Sequence, residues 1–248
     1  MRFYKSSNPM LRDSVLDEYA GVIDTPMSVS GTVSKILLLM LIFLASAGIV
    51  FYQFLLQKFD YINLLTILGL VGSAVLSIII SVKPKTAPYL SPFFAFAEGA
   101  VLSGISCFFE ASFPGIVVQA VSVTFIVMFA MAILYIAGII RATDRFKAVI
   151  YSATTAIFIF YMVGIVLMLF HINIPYFSNT YSLPFVILNI AIAAIAALNF
   201  ILDFDFIENG ANRMLPSYFE WYAAVSLIAT LAWLYIEILR LLARFRNR

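Results

Sequence analysis

AIAAIAALNFILDFDFIENGANRMLPSYFEWYAAVSLIATLAWLYIEILR, residues 191–240, holds two apolar stretches separated by a polar turn. The first begins near Leu183, runs into Asp203, Asp205 and Glu208, and stops at Asn209-Gly210. The second runs from about Tyr218 to Leu239 and carries Glu220 and Glu237 near its two ends. Each is long enough to cross a bilayer, which takes about 20 apolar residues. A carboxylate in or beside hydrocarbon costs several kcal/mol, so each of these is a functional-site hypothesis. The rest of the chain reads as the bundle that holds this hairpin.

Composition agrees with a membrane chain. Of 248 residues, 63% are hydrophobic and only 11% charged, and the mean hydropathy is +1.03. A soluble protein of this length cannot hide so much apolar surface. In lipid every backbone group must be satisfied internally, which leaves helices or a closed barrel. Continuous rather than alternating apolar runs select helices. The expected fold class is therefore all-α and polytopic. The single Cys107 excludes an intrachain disulfide and a cysteine zinc site, and the single His171 excludes a histidine metal cluster. No cofactor is expected. A net charge of +2 gives no case for nucleic acid. The first apolar run begins only at Ile36, so no cleavable signal peptide is expected and the first transmembrane helix directs insertion.

Residues 1–34 read as a short leader, in which Met10-Leu11, Val15-Leu16 and Tyr19 recur at roughly helical spacing, compatible with an interfacial helix or an irregular tail. Gly31-Thr32-Val33-Ser34 supplies the expected cap for the first apolar helix. Seven helices are expected at about 36–56, 62–82, 89–109, 116–140, 148–170, 183–208 and 218–242. They form one membrane domain, residues 35–243, with a basic tail at 244–248. The connections are short, so sequential helices are expected to be antiparallel neighbours. No internal repeat supports an inverted-repeat transporter.

Lysine and arginine in the short loops set the orientation. With seven spans the leader shares one side with the 2–3, 4–5 and 6–7 loops. That side carries Lys35, Lys83, Lys85, Arg141, Arg145, Lys147 and Arg213 besides the leader's own bases, against Lys58 alone in the other loops. The N-terminus is thus expected in the cytoplasm. Arg240, Arg244, Arg246 and Arg248 oppose that count, either because the last helix is not a full span or because a late signal is tolerated.

Glu98 sits near mid-helix with no basic residue within a turn or two. Ala95, Gly99 and Ser103 form a row of small residues beside it, a surface on which a second helix packs closely. Glu98 reads as a proton- or cation-binding carboxylate, or as a structural acid hydrogen-bonded to a neighbouring helix. Asn189, Ala193 or Ile192, Ala196, Asn199 and Asp203 make a polar and small stripe, an interior face. Asp203 and Asp205 also lie near a helix C-terminus, where the macrodipole disfavours negative charge. Glu220 falls in a first turn, where the dipole favours it, and with Trp221 and Tyr222 suggests an interfacial belt. Glu237 has Arg240 three residues on, so an intrahelical ion pair accounts for it.

Glu237 lies 19 residues beyond Tyr218, about 28 Å along a helix. A direct Asp203–Glu237 contact is therefore not expected in an antiparallel hairpin. Asp203 or Asp205 with Glu220, or with Glu98, is more reachable. Two carboxylates that share a proton would act as a pH-dependent latch.

FAEGAVLSGIS in helix 3, LNFILDFDFIE at the end of helix 6, and EWYAA with WLYIEILRLL in helix 7 resemble the Bax inhibitor family of transmembrane proteins, in its bacterial branch. SNPML and MSVSGTVSK in the leader resemble that branch too, so the likeness covers essentially the whole chain. The resemblance implies seven helices with the last one central. It also implies a pH-sensitive calcium leak gated by paired aspartates on the last two helices. The family's Asp-x-Gln-x-Ile matches Asp203-Phe204-Asp205-Phe206-Ile207, which makes Asp203 the counterpart; a shift by two selects Asp205. In helix 7 the family's Leu-Tyr-Leu-Asp resembles Leu234-Tyr235-Ile236-Glu237. Alignment on the terminal Leu-Arg instead places Ala229 or Thr230 there, and the distance argument favours this second alignment.

The expected function is ion transport: a non-enzymatic, pH-sensing cation leak, for calcium first. Its sensing and ion-binding candidates are Asp203, Asp205, Glu98, Asn199, Glu220 and Glu237. The expected location is a bacterial inner membrane, with the lipid bilayer as partner. An intramembrane aspartyl protease lacks its Gly-x-Gly-Asp signature here. A non-transporting protein that modulates a protease or another membrane complex, with a membrane-protein partner, is the alternative.

Overall fold

Ser28 starts the first helix. Its side chain accepts a hydrogen bond from the Gly31 amide, as an N-cap serine does. The expected cap at Gly31–Ser34 is thus corrected: those residues are already helical, and α1 spans Val29–Leu55. The computed structural model describes residues 25–172, 176 and 182–247. The apolar pattern at Met10–Tyr19, Pro175 and Arg248 lie outside the described residues.

After α1 come α2, Phe59–Val82, and a 3-10 turn, Pro84–Thr86. The remaining helices are α3, Ala87–Ser112; α4, Ile116–Ile136; α5, Asp144–Leu169; α6, Leu183–Asn212; and α7, Tyr218–Arg246. All seven spans are long and apolar enough to cross a membrane, as expected. Among the described residues the only bridge pairing is Pro26 with Pro216, outside any strand. Helix ends shift where local chemistry overrides hydropathy. α4 stops at Ile136 because Gly138 takes a left-handed conformation, φ 68°. α5 starts early because Thr143 caps it through Phe146. α6 continues through Asn209-Gly210 and breaks only at Met214, φ 53°. α7 runs on through Arg244 and Arg246, so the expected basic tail is mostly helix.

The chain divides into two compact units, each threaded twice. One comprises the residues up to Gly104 with Asp205–Ile228; the other comprises Ile105–Phe204 with Ala229–Arg248.

In the first unit α1 and α3 cross closely at the row of small residues. A Cβ on Gly99 would collide with the Phe43 carbonyl. Ser46 donates to the Phe96 carbonyl at 2.6 Å, and Ser103 donates to the Ala47 carbonyl at 2.8 Å. Two serines thus tie the helices on either side of that glycine. Small residues permit such approach, and side-chain hydrogen bonds hold it, where lipid removes the hydrophobic drive. Val50, Ile62 and Ala100 form an apolar cluster nearby.

In the second unit Ser106 of α3 meets the Tyr235 hydroxyl of α7 at 2.6 Å. Asn199 of α6 donates to Thr154 of α5 at 3.0 Å. Arg246 donates to the Pro114 carbonyl at 2.8 Å, which brings the end of α7 to the α3–α4 turn. Arg244 likewise donates to the Tyr176 carbonyl in the α5–α6 connection. The last helix is long and apolar enough for a full span, so of the two expected explanations for its terminal arginines the one that shortens this helix is not favoured. Leu41, Ile67, Phe129 and Phe158 are exposed, as residues facing lipid are. Among the described residues, the α3 and α7 spans alone are more than half buried.

Candidate functional site

Glu98 stands at the middle of α3 and is half-buried. The Ser73 hydroxyl of α2 lies beside it and donates to the Leu70 carbonyl of its own helix at 3.4 Å. Glu98 makes no ion pair among the described residues. Its neighbours Ala95 and Gly99 are buried, and Gly99 lies against Phe43 of α1, as the small-residue row predicted. Ser73 is a polar neighbour from another helix, and no counter-charge stands beside the acid among the described residues, so both readings of Glu98 remain open.

The stripe along α6 is an interior face. Asn189, Ile192, Ala196 and Asp203 are all buried, and Ile192 rather than Ala193 is the enclosed member. Asp203 is 9% exposed. Asn199, one turn earlier, does not serve Asp203: its amide is held by Thr154 and by the Ile195 carbonyl. Asp205 belongs to the other unit and is half-buried, and its backbone carbonyl accepts from Asn209. Glu208 is exposed.

Glu220 is no interfacial belt residue. It is 4% exposed. One carboxyl oxygen accepts from the Ser28 amide at 2.9 Å and from its hydroxyl at 3.1 Å. The other pairs with Lys35 at 2.8 Å. The carboxylate therefore caps α1 from another helix, with the positive end of the α1 dipole beside it. Both oxygens are thereby engaged, which corrects the expected pairing of Glu220 with an aspartate. Thr25 and Met27 bond to Ser217 and to the Leu215 carbonyl, so the start of α1 is fastened along the α6–α7 turn.

Glu237 has Arg240 at 3.6 Å, the ion pair expected from spacing. Closer partners come from other helices: the Tyr161 hydroxyl of α5 at 2.6 Å and the Asn189 amide of α6 at 2.8 Å. Arg244 is 1% exposed. It donates to the Phe185 and Tyr176 carbonyls and lies 4.5 Å from the Tyr176 ring centre. Burial pushes the Tyr176 phenol up, so it stays neutral beside this guanidinium. Tyr161, Asn189 and Arg244 were missed by sequence reasoning. Asn189 alone had a signal, as the first polar member of the interior stripe.

Because Asn189 touches Glu237, the helix itself measures the Asp203–Glu237 separation. Asp203 lies fourteen residues beyond Asn189 on α6, about 21 Å along the axis. The two are not a pair, as the hairpin geometry required. Among the described residues no group of three His, Cys, Asp or Glu side chains is arranged to hold a metal ion.

The family model described as Bax inhibitor 1 like matches residues 8–247. No curated protein and no solved structure matches the chain. With seven spans and this match, the chain is a multi-pass integral membrane protein.

Proposed function

The chain belongs to the Bax inhibitor 1 like family, a family of membrane proteins, and on that premise we propose that it is a pH-sensitive cation leak for calcium, gated by protonation of membrane carboxylates. The observation that carries this reading is Glu98. A carboxylate at mid-span with a serine hydroxyl nearby and no ion pair among the described residues needs either a proton or a cation beside it. Exchange of one for the other is the elementary step of a proton-gated cation path. The Glu98 carboxyl and Ser73 hydroxyl offer only oxygen, the ligand type a hard cation takes.

Asp203 is the second carboxylate of the proposal. It is buried on the interior face of α6 and occupies the position that the family resemblance singles out. Glu220 is excluded from gating by its role as the cap of α1. No bond-breaking step is assigned to any residue. The charge distribution of the short loops supports a cytoplasmic N-terminus; a bacterial cytoplasmic membrane is proposed from the sequence resemblance alone.

The test is calcium entry into liposomes containing the purified protein, between about pH 6 and pH 8, the range over which a perturbed membrane carboxylate changes charge. The proposal expects pH-dependent entry above that of empty liposomes. Absence of entry at every pH would reject it. Recovery of a stoichiometric membrane partner from such an inactive preparation would favour the modulator role instead.

A further inference from the structure

The opening turns of α3 contain a break in the helix's own hydrogen bonding. Pro92 lies inside the helix. It has no amide hydrogen, so the carbonyl four residues back, that of Pro88, lacks its ordinary helical donor. Ser91 stands beside this break and is fully buried. Its hydroxyl has no hydrogen-bond partner among the described residues. Elsewhere in the spans Thr66, Ser122, Thr124 and Ser152 each donate to the carbonyl four residues back. That local bond is the usual refuge of a hydroxyl in a helix, and Ser91 does not take it. A buried polar group left unmade costs about 1–3 kcal/mol, so its presence calls for a role.

Helical spacing ties this break to Glu98. Ser91, Ala95 and Glu98 follow one another at intervals of four and three residues, so they share a face of α3. Ser91 and Glu98 are seven residues apart, about 10 Å along the axis. Ala95, between them, is fully buried and small, so no bulky side chain interrupts that face. The face thus offers an acid at mid-span and, two turns nearer the start of the helix, a hydroxyl oxygen and a carbonyl oxygen with unused capacity. Oxygen ligands of this kind suit a hard divalent cation, which also keeps part of its water shell. Lys83 and Lys85, in the turn before α3, are exposed, so solvent screens their charge from the buried serine.

We propose that the Ser91 hydroxyl and the Pro88 carbonyl form a binding station for a partly hydrated divalent cation, two turns from Glu98 on the same face of α3. The inference rests on the reading of Glu98 as a cation-binding acid, because two neutral oxygens alone do not outcompete water for such an ion. The proline break supplies the backbone oxygen, the serine supplies the side-chain oxygen, and the acid supplies the charge. An ion that leaves Glu98 toward the start of α3 therefore meets oxygen again at Ser91.

The test is thiol modification in nanodiscs, which needs no ion flow and so answers even if the protein passes no calcium. Ser91→Cys is made with Cys107→Ser, which leaves a single thiol. Its reaction with the cationic aminoethyl methanethiosulfonate and with the anionic sulfonatoethyl reagent is timed with and without calcium. The cationic reagent is expected to react about tenfold faster, as at a site that concentrates cations, and calcium is expected to slow it. Ala100→Cys in the same background, within the apolar cluster of Val50 and Ile62, is expected to react with neither. No reaction at Ser91→Cys, equal rates with the two reagents, no slowing by calcium, or equal reaction of Ala100→Cys would overturn the proposal. Calcium slowing that persists when Glu98→Gln is added would reject Glu98 as the charge and leave the Ser91 station standing. Should Ser91→Cys fail to fold, Ser91→Ala is expected to bind Mn2+, read by electron paramagnetic resonance, about tenfold more weakly than the parent. Equal Mn2+ binding would overturn the proposal as well.

Discussion

Glu220 and Lys35 meet at 2.8 Å, and the same carboxyl caps the first turn of α1 through Ser28. Two helices far apart in sequence are joined by one side chain that is almost fully enclosed. Lys35 also lies over the Trp221 ring at 5.8 Å, so the residue after the acid shares the contact. The start of α1 and the α6–α7 turn therefore behave as one piece within their unit.

Glu220→Ala is expected to lower stability by about 2 kcal/mol, the sum expected for a lost helix cap and a stranded partner. Lys35→Met should cost less, since the acid keeps its bonds to Ser28. Gly31→Ala tests the same contact from the other side, because a Cβ there would collide with the Glu220 carboxyl. Its cost should fall when Glu220 is already alanine, a coupling that a double-mutant cycle in detergent unfolding measures. Additive costs would mean that the three residues do not form one cap.

Gly99→Val is expected to separate α1 from α3. The added side chain meets the backbone carbonyl of Phe43, which has no rotamer with which to yield. Overpacking of this kind costs about 1–3 kcal/mol, and the flanking Ser46 and Ser103 bonds would lengthen with it. The check is the melting temperature of the purified protein beside Gly48→Ala, where nothing lies within reach of the new methyl. Equal melting temperatures would contradict the close crossing.

Arg244→Lys should not substitute for arginine. One guanidinium reaches two carbonyls, of Phe185 and Tyr176, and stacks on the Tyr176 ring. A lysine is a point charge without that fork. Leaving a buried carbonyl unpaired costs about 1–3 kcal/mol, and the expected readout is faster proteolysis of the α5–α6 connection. Arg246→Lys, at an exposed position, should leave that rate unchanged.

The sequence revealed the helices because hydropathy acts over whole spans, and span membership tolerates errors of a turn. The row Ala95, Gly99 and Ser103 was legible for the same reason: spacing alone says which residues share a face. Helix ends were less legible. Ser28, which caps α1, also donates to Glu220 arriving from another helix, and α6 runs past Gly210, where Met27 and Leu215 leave little room for a side chain. Glu237 shows the limit most clearly. Arg240 is three residues away and visible in any spacing argument, whereas Tyr161 and Asn189 are nearer in space but lie 76 and 48 residues away in the chain. A buried acid's partners are set by tertiary packing, which periodicity does not encode. Asp203 and Glu237 were correctly kept apart because a helix's rise per residue is fixed.

The most direct measurement is the pH profile of calcium entry into proteoliposomes for the parent protein, Glu98→Gln and Asp203→Asn. Each substitution keeps the shape of its side chain and removes its charge. The account predicts pH-dependent entry in the parent and a profile flattened by Glu98→Gln, with Asp203→Asn altering the same limb. Calcium entry whose pH dependence survives both substitutions would contradict it.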